Sequence, residues 1–254
     1  MIYLDSHAHV DVVPALNWYD TADKLIKRMD EAGVRMAAIC GYLNVPGPNQ
    51  DGFKVISDAV EKYPDRLIGY ARLDPWFDDR CVNALNAAVQ DWGCRGVKLH
   101  PAHYTLYPFG PETVKLAHRA GELGLPILFH CGDEIMCLPY QIDRLAAQCP
   151  ETTIILAHIG GFFSGESALN VAERRKNILV DTSEIPFPEM VRKAVDRLGA
   201  EKVLWGTDAP CCDIFHEIKK VQLANLSEKQ QQLLFAENYA RLMGINLEAF
   251  RVEN

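Results

Sequence analysis

Two histidines stand two residues apart near the start of the chain, in MIYLDSHAHV. Side chains alternate along a strand, so His7 and His9 share one face, roughly 6–7 Å apart. Imidazole nitrogens placed that way can converge on one divalent cation, with bonds of about 2.0–2.1 Å in the case of zinc. Further polar side chains recur where apolar runs end: Lys98 and His100 in GVKLHP, His130 in LFHCG, His158 in LAHIGG and Asp208 in GTDAP. With His7 and His9, His130 and Asp208 would complete a site of three nitrogens and one carboxylate oxygen. Zinc accepts that ligand set, and so do Mn2+ and Fe2+.

The elements that must position these residues alternate along the chain. Candidate strands are Ile2–Asp5, Arg35–Cys40, Leu67–Ala71, Gly96–His100, Ile127–His130, Thr153–His158, Ile178–Asp181 and Val203–Gly206. Amphipathic segments lie between them. Thr21–Ala32 carries Leu25, Ile26 and Met29 at helical spacing, and Asp79–Trp92 carries Val82, Leu85 and Val89. Pro111–Leu123 opens on a proline suited to a first helical turn. Asp51–Tyr63, Pro139–Cys149, Ser164–Arg175, Pro188–Leu198 and Ser227–Leu242 fill the remaining slots. Eight strands alternating with helices in 254 residues predict an α/β fold, a (β/α)8 TIM barrel. A doubly wound open sheet would normally show a glycine-rich turn after an early strand, and none follows the first one. No repeat or linker divides the chain, so residues 1–254 read as one barrel domain. Catalytic side chains of such barrels sit at the C-terminal strand ends, where the polar residues above collect. The longest irregular segment, Tyr42–Gln50, would lie on that same face.

Composition limits the partners. Net charge is -8, and the basic residues are scattered, which argues against a nucleic-acid surface. No apolar run approaches membrane-spanning length, and the N-terminus shows no leader pattern. Eight cysteines occur without a CxxC pair. The expectation is a soluble, cytoplasmic protein with reduced thiols, a small-molecule substrate and no nucleic-acid or membrane partner. A homodimer is the default assembly. Cys131, Cys211 and Cys212 read as small apolar residues, His118 and His216 as solvent-facing, and Arg72 with Asp74 as a salt bridge at the barrel top.

Taken together, LDSHAHV, GVKLHP, LFHCG, LAHIGG, WGTDAP and the closing AENYARLMGI resemble the amidohydrolase superfamily. More narrowly, they resemble its amidohydrolase-related (amidohydrolase 2) group of metal-dependent TIM-barrel hydrolases and decarboxylases. The resemblance runs from His7 to Met243. It implies a distorted barrel with a divalent metal at its C-terminal mouth, held by His7, His9, His130 and Asp208. His158 would be a general acid/base or polarise the substrate. Lys98 and His100 would line the substrate pocket. Lys98 reads as an unmodified cation for an anionic substrate; carboxylated, it would bridge a second metal. The implied activity is hydrolysis of a small amide, ester or lactone by a metal-activated water, with Asp208 as general base and His158 steadying the oxyanion. The alternative is a metal-dependent decarboxylase, a lyase acting on a small aromatic or unsaturated carboxylic acid. TatD-like nucleases share DSHAH and TDAP, but would carry a glutamate on strand four where this chain has GVKLHP. A scaffold that had lost activity would lack a ligand, and all four proposed ligands are present.

Overall fold

The computed structural model describes residues 1–14, 17–42 and 51–250. Its centre is an eight-stranded parallel sheet in the order β1-β4-β5-β6-β7-β8-β9-β10. These strands are β1 (Tyr3–His9), β4 (Val34–Cys40), β5 (Leu67–Arg72), β6 (Gly96–Leu99), β7 (Ile127–Phe129), β8 (Ile154–Leu156), β9 (Ile178–Asp181) and β10 (Val203–Leu204). The sheet closes on itself. Ser6 donates its N–H to the Trp205 carbonyl at 3.1 Å, His9 donates to the Ala209 carbonyl at 2.7 Å, and Ala8 bridges Ala209. The eight strands are those read from the sequence, in a TIM barrel.

Alternation along the strands sorts side chains into two layers. Ile127 and Phe129 pack in the large cluster that includes the helix faces, whereas Leu128 between them packs in a second cluster. Ile154, Ile155 and Leu156 divide the same way. That second cluster is the barrel interior: Leu4, Ala38, Ile68, Tyr70, Leu128, Ile155 and Leu204. Tyr239, Ala240 and Met243 of the C-terminal helix α11 (Asn238–Met243) join it and plug the bottom. Val97 and Leu99 point to the helices, so Lys98 points inward, in register with Arg72 and Leu128.

The helices follow the sequence pattern closely. α1 (Ala22–Ala32) buries Ala22, Leu25, Ile26 and Met29. Thr21 caps its first turn by accepting the Lys24 N–H, and Gly33 ends it at φ 75°. α2 (Asp51–Lys62), α3 (Asp79–Gln90), α5 (Pro111–Glu122), α6 (Pro139–Gln148), α7 (Gly161–Arg174) and α8 (Pro188–Leu198) occupy the other expected slots, and the chain adds a short α4 (Pro101–Tyr104) after β6 and α9 (Ile214–Leu223) after β10.

Several expectations need correction. An antiparallel hairpin, β2 (Asp11–Val13) with β3 (Trp18–Asp20), follows β1 and was not anticipated. The strand expected over Thr153–His158 stops at Leu156, and the one expected to Gly206 stops at Leu204. In both places the chain turns inward and carries a polar side chain with it. The single helix expected over Ser227–Leu242 is α10 (Glu228–Gln232), a π-helical turn (Leu233–Glu237) and α11. Arg72 and Asp74 do not pair: Arg72 donates to the Gly41 and Tyr42 carbonyls, and Asp74 caps Trp76. All eight thiols are free; Cys131 is buried, but Cys211 is exposed. His118 and His216 are exposed, as expected. Of the irregular segment Tyr42–Gln50, residues 43–50 lie outside the described residues. Among the described residues, no helix is long and apolar enough to cross a membrane.

Candidate metal centre

β1 carries a register shift between Asp5 and Ala8. His7 lies within it and His9 just beyond it, both buried, at 0% and 3% exposure. The last strand supplies the facing group. Beyond β10 the chain folds over β1, with the Thr207 and Asp208 N–H groups both donating to the His7 carbonyl, at 3.2 and 2.7 Å. Asp208 takes φ 57°, an uncommon conformation for a non-glycine residue. Its Oδ1 then lies 3.0 Å from His7 Nε2 and 3.0 Å from His9 Nε2.

The far nitrogens of both rings are already engaged. His7 Nδ1 meets Asp181 Oδ2 at 3.0 Å, and His9 Nδ1 meets the Cys40 carbonyl at 3.3 Å. A carboxylate and a carbonyl can only accept, so Nδ1 of each ring is the donor. The Nε2 lone pairs are thereby directed at Asp208. Two lone pairs and one carboxylate oxygen call for positive charge among them: Lys98 Nζ stands 2.6 Å from the His7 lone pair, and a proton on His9 or a divalent cation meets the rest. Burial works against a charged His9, but Cys40 and Asp208 outweigh it and lift its pKa to about 9. Burial likewise opposes the ionised form of Asp208, yet His7 and His9 hold its pKa well below the usual carboxylate range. Burial, aided by the neighbouring Lys98, lowers His7 to about 4. The donor chemistry therefore fits a divalent cation, and ligand atoms of His7, His158 and Asp208 all lie within 4.8 Å of one another.

His158 sits at φ 60° in the turn after β8, its N–H donating to Asp181 Oδ1 at 3.1 Å. Its ring is 5.2 Å from that of His7, and burial pushes its pKa down to about 3. A neutral ring here can accept or pass on a proton. His158 Nδ1 contacts Ser183 Oγ at 2.9 Å, and Nε2 contacts His130 Nδ1 at 3.1 Å. Lys98, 2% exposed, places Nζ 2.6 Å from His7 Nε2.

The structure thus brings together His7, His9, Asp208, Lys98 and His158. His130 stands one step out, joined through His158. His100 is at the rim, stacked between His103 and His130 with ring centroids 3.6 and 3.9 Å away. Sequence reasoning missed Asp181, Ser183 and Glu134. Asp181 closes an apolar strand as Asp208 and the histidines do, and that position was its only signal.

The model of the Amidohydrolase family matches residues 54–245, more than half of the chain. No curated protein matches it. Similar solved structures include 5-carboxyvanillate decarboxylase from Sphingomonas paucimobilis, at 13% identity and TM-score 0.78, over 96% of this chain and 99% of that one. A dihydroxybenzoic acid decarboxylase from Polaromonas sp. JS666, with bound manganese and the inhibitor 2-nitroresorcinol, shares 15% identity at TM-score 0.74 over 99% and 98%. A probable 2-pyrone-4,6-dicarboxylic acid hydrolase from Acinetobacter baumannii shares 19% identity at TM-score 0.72 over 96% and 100%. These likenesses establish the barrel fold. With the family match spanning strands and helices on both sides of the mouth, the chain belongs to the amidohydrolase family.

Proposed function

We propose that the protein is a metal-dependent decarboxylase of a small aromatic or unsaturated carboxylic acid. The observation that carries this reading is Lys98, a basic side chain buried in the barrel wall with Nζ 2.6 Å from His7 Nε2. With a cation on the His7 lone pair, Lys98 gives up that contact and its N–H groups turn to the carboxylate of a substrate. Decarboxylases recur among the similar structures, two of them with manganese bound, which supports the same choice.

In this reading His7, His9 and Asp208 hold one divalent cation. When bound, it supplies fixed positive charge that favours electron-rich substrate oxygens. Lys98, unmodified, orients the carboxylate. Asp208 is the proton carrier: it accepts a proton and delivers it to the ring carbon that bears the carboxylate. The carbon–carbon bond then breaks, its electron pair stays with the newly protonated carbon, and CO2 leaves. His158, neutral and fixed by Ser183, relays protons between Asp208 and the mouth. Lactone hydrolysis is the second reading, favoured by the likeness to the pyrone dicarboxylate hydrolase. There Asp208 takes a proton from water and passes it to the leaving oxygen.

The test is incubation of the Mn2+-loaded protein with dihydroxybenzoates and with a pyrone dicarboxylate lactone. CO2 release from an acid, absent in Asp208→Asn, supports the first reading. Lactone opening with no CO2 from any acid replaces it with the second.

A further inference from the structure

An ion pair is buried in α9, behind the metal centre. The buried stripe of this helix includes positions 214, 217, 218 and 221, the spacing of a helix face packed on a core. Three of them are Ile214, Ile218 and Val221, but the fourth is Glu217, 5% exposed. Lys220 is also 5% exposed and pairs with Glu217 one turn back. Taking both charges out of water is costly, and apolar side chains of similar volume would hold the same space at least as stably. What the ammonium reaches gives the pair another purpose: Lys220 Nζ donates to the Thr182 carbonyl at 2.5 Å. Thr182 is the middle residue of a buried turn, Asp181–Thr182–Ser183, that touches two histidines of the centre. Asp181 Oδ2 accepts from His7 Nδ1 at 3.0 Å, and Asp181 Oδ1 accepts the His158 and Ser183 N–H groups at 3.1 and 2.9 Å. Ser183 Oγ lies 2.9 Å from His158 Nδ1 and 3.2 Å from His7 Nδ1. The Thr182 N–H still donates to the Leu204 carbonyl, but β8 and β10 have ended at Leu156 and Leu204. The Thr182 carbonyl is held from outside the sheet, by Lys220.

We infer that Lys220, steadied by Glu217, is a positioning residue: it pins the Thr182 carbonyl and so sets Asp181 and Ser183 against the His7 and His158 rings. It touches neither substrate nor metal and acts only through that turn. The inference rests on the His7–His9–Asp208 centre, but not on which reaction that centre performs. A pair that served packing alone would move stability and site behaviour together. A positioning pair lets the two be separated.

The experiment compares three readouts on the full chain. Urea unfolding gives stability, and chelator competition gives Mn2+ affinity. Solvent exchange of the His7 Nδ1 proton, followed by NMR of isotope-labelled histidine in metal-free protein, reports the Asp181 contact directly. Glu217→Leu/Lys220→Met is expected to keep at least wild-type stability. Its Mn2+ affinity should nevertheless fall about 10-fold, and its His7 Nδ1 proton should exchange about 10-fold faster. Glu217→Gln leaves Lys220 an acceptor, so it should lose stability while affinity and proton exchange stay at wild-type values. Placed in an Asp181→Asn background, the Leu/Met pair should cost no further affinity, because its effect passes through Asp181. If the Leu/Met variant fails to fold, Glu217→Gln/Lys220→Met supplies the same comparison with a neutral amide in place of the carboxylate. A wild type that binds no Mn2+ refutes the metal centre itself, and the His7 proton then decides the inference alone. Wild-type proton exchange in the variants lacking Lys220, or affinity losses that add to those of Asp181→Asn, would overturn it.

Discussion

Asp208 is the centre of the proposed chemistry, because one oxygen faces two imidazole nitrogens at 3.0 Å each. Asp208→Asn removes the charge that favours a cation there and, in the proposed reaction, the group that carries the proton. Turnover is expected to fall by about 10²–10⁴-fold, with bound manganese lost, as measured by kcat and metal content. Asp181 works through His7. It fixes the ring with Nδ1 protonated and also receives the His158 N–H. Asp181→Asn should weaken cation binding by about 10–100-fold in a chelator competition assay while circular dichroism stays unchanged. An unchanged affinity would mean that the carboxylate serves packing alone. The histidines and Asp208 were legible in the sequence because each ends an apolar run, where a barrel opens its mouth. Asp181 shared that signal, yet its hydrogen bond to a strand six positions round the sheet is a property of closure. Ser183 and Glu134 lie in loops, where polar residues are ordinary and carry no signal of their own.

At the scale of elements, the site depends on two places where strands stop early and the chain turns inward. The β10 turn packs against β1 so closely that a Cβ at Gly206 would lie 2.9 Å from His7 Cβ and 3.1 Å from Ser6 Oγ. Gly206→Ala is therefore expected to destabilise the protein by about 1–3 kcal/mol in urea unfolding and to reduce manganese affinity together with stability. Full stability in that variant would show that the seam is looser than the structure has it. The strands were readable because parallel barrel strands are buried on both faces and appear as short apolar runs. Their ends were not, because GTDAP and LAHIGG continue the run in letters while the backbone leaves the ladder. The β2–β3 hairpin was hidden for a related reason: three-residue strands carry too little alternation to stand out. The break in the last helix has no sequence mark either, since Leu233–Glu237 keeps its apolar spacing through the π-helical turn.

Across the whole molecule, Asp5 joins the first strand to the last. Its carboxylate accepts the His7 and Thr207 N–H groups at 3.0 Å each and the Thr207 hydroxyl at 2.5 Å. Complete burial raises its pKa to about 8, against 3.8 for an ordinary aspartate. The folded state therefore holds this proton more tightly than the unfolded chain does. The associated stability is full below about pH 4 and is lost as pH rises through about 8. Metal-free wild type should lose stability relative to Asp5→Asn over that window in urea titrations; a pH-independent difference would contradict it. Barrel closure by this contact is also what carries Asp208 to His7 and His9, so fold and chemistry meet there. The most direct measurement is the manganese content of the protein after loading and desalting, for wild type and for His7→Ala, His9→Ala and Asp208→Asn. One equivalent in wild type and none in the three variants is expected. A wild type that keeps no cation, or variants that keep a full equivalent, would contradict the assignment of these three residues as one metal centre.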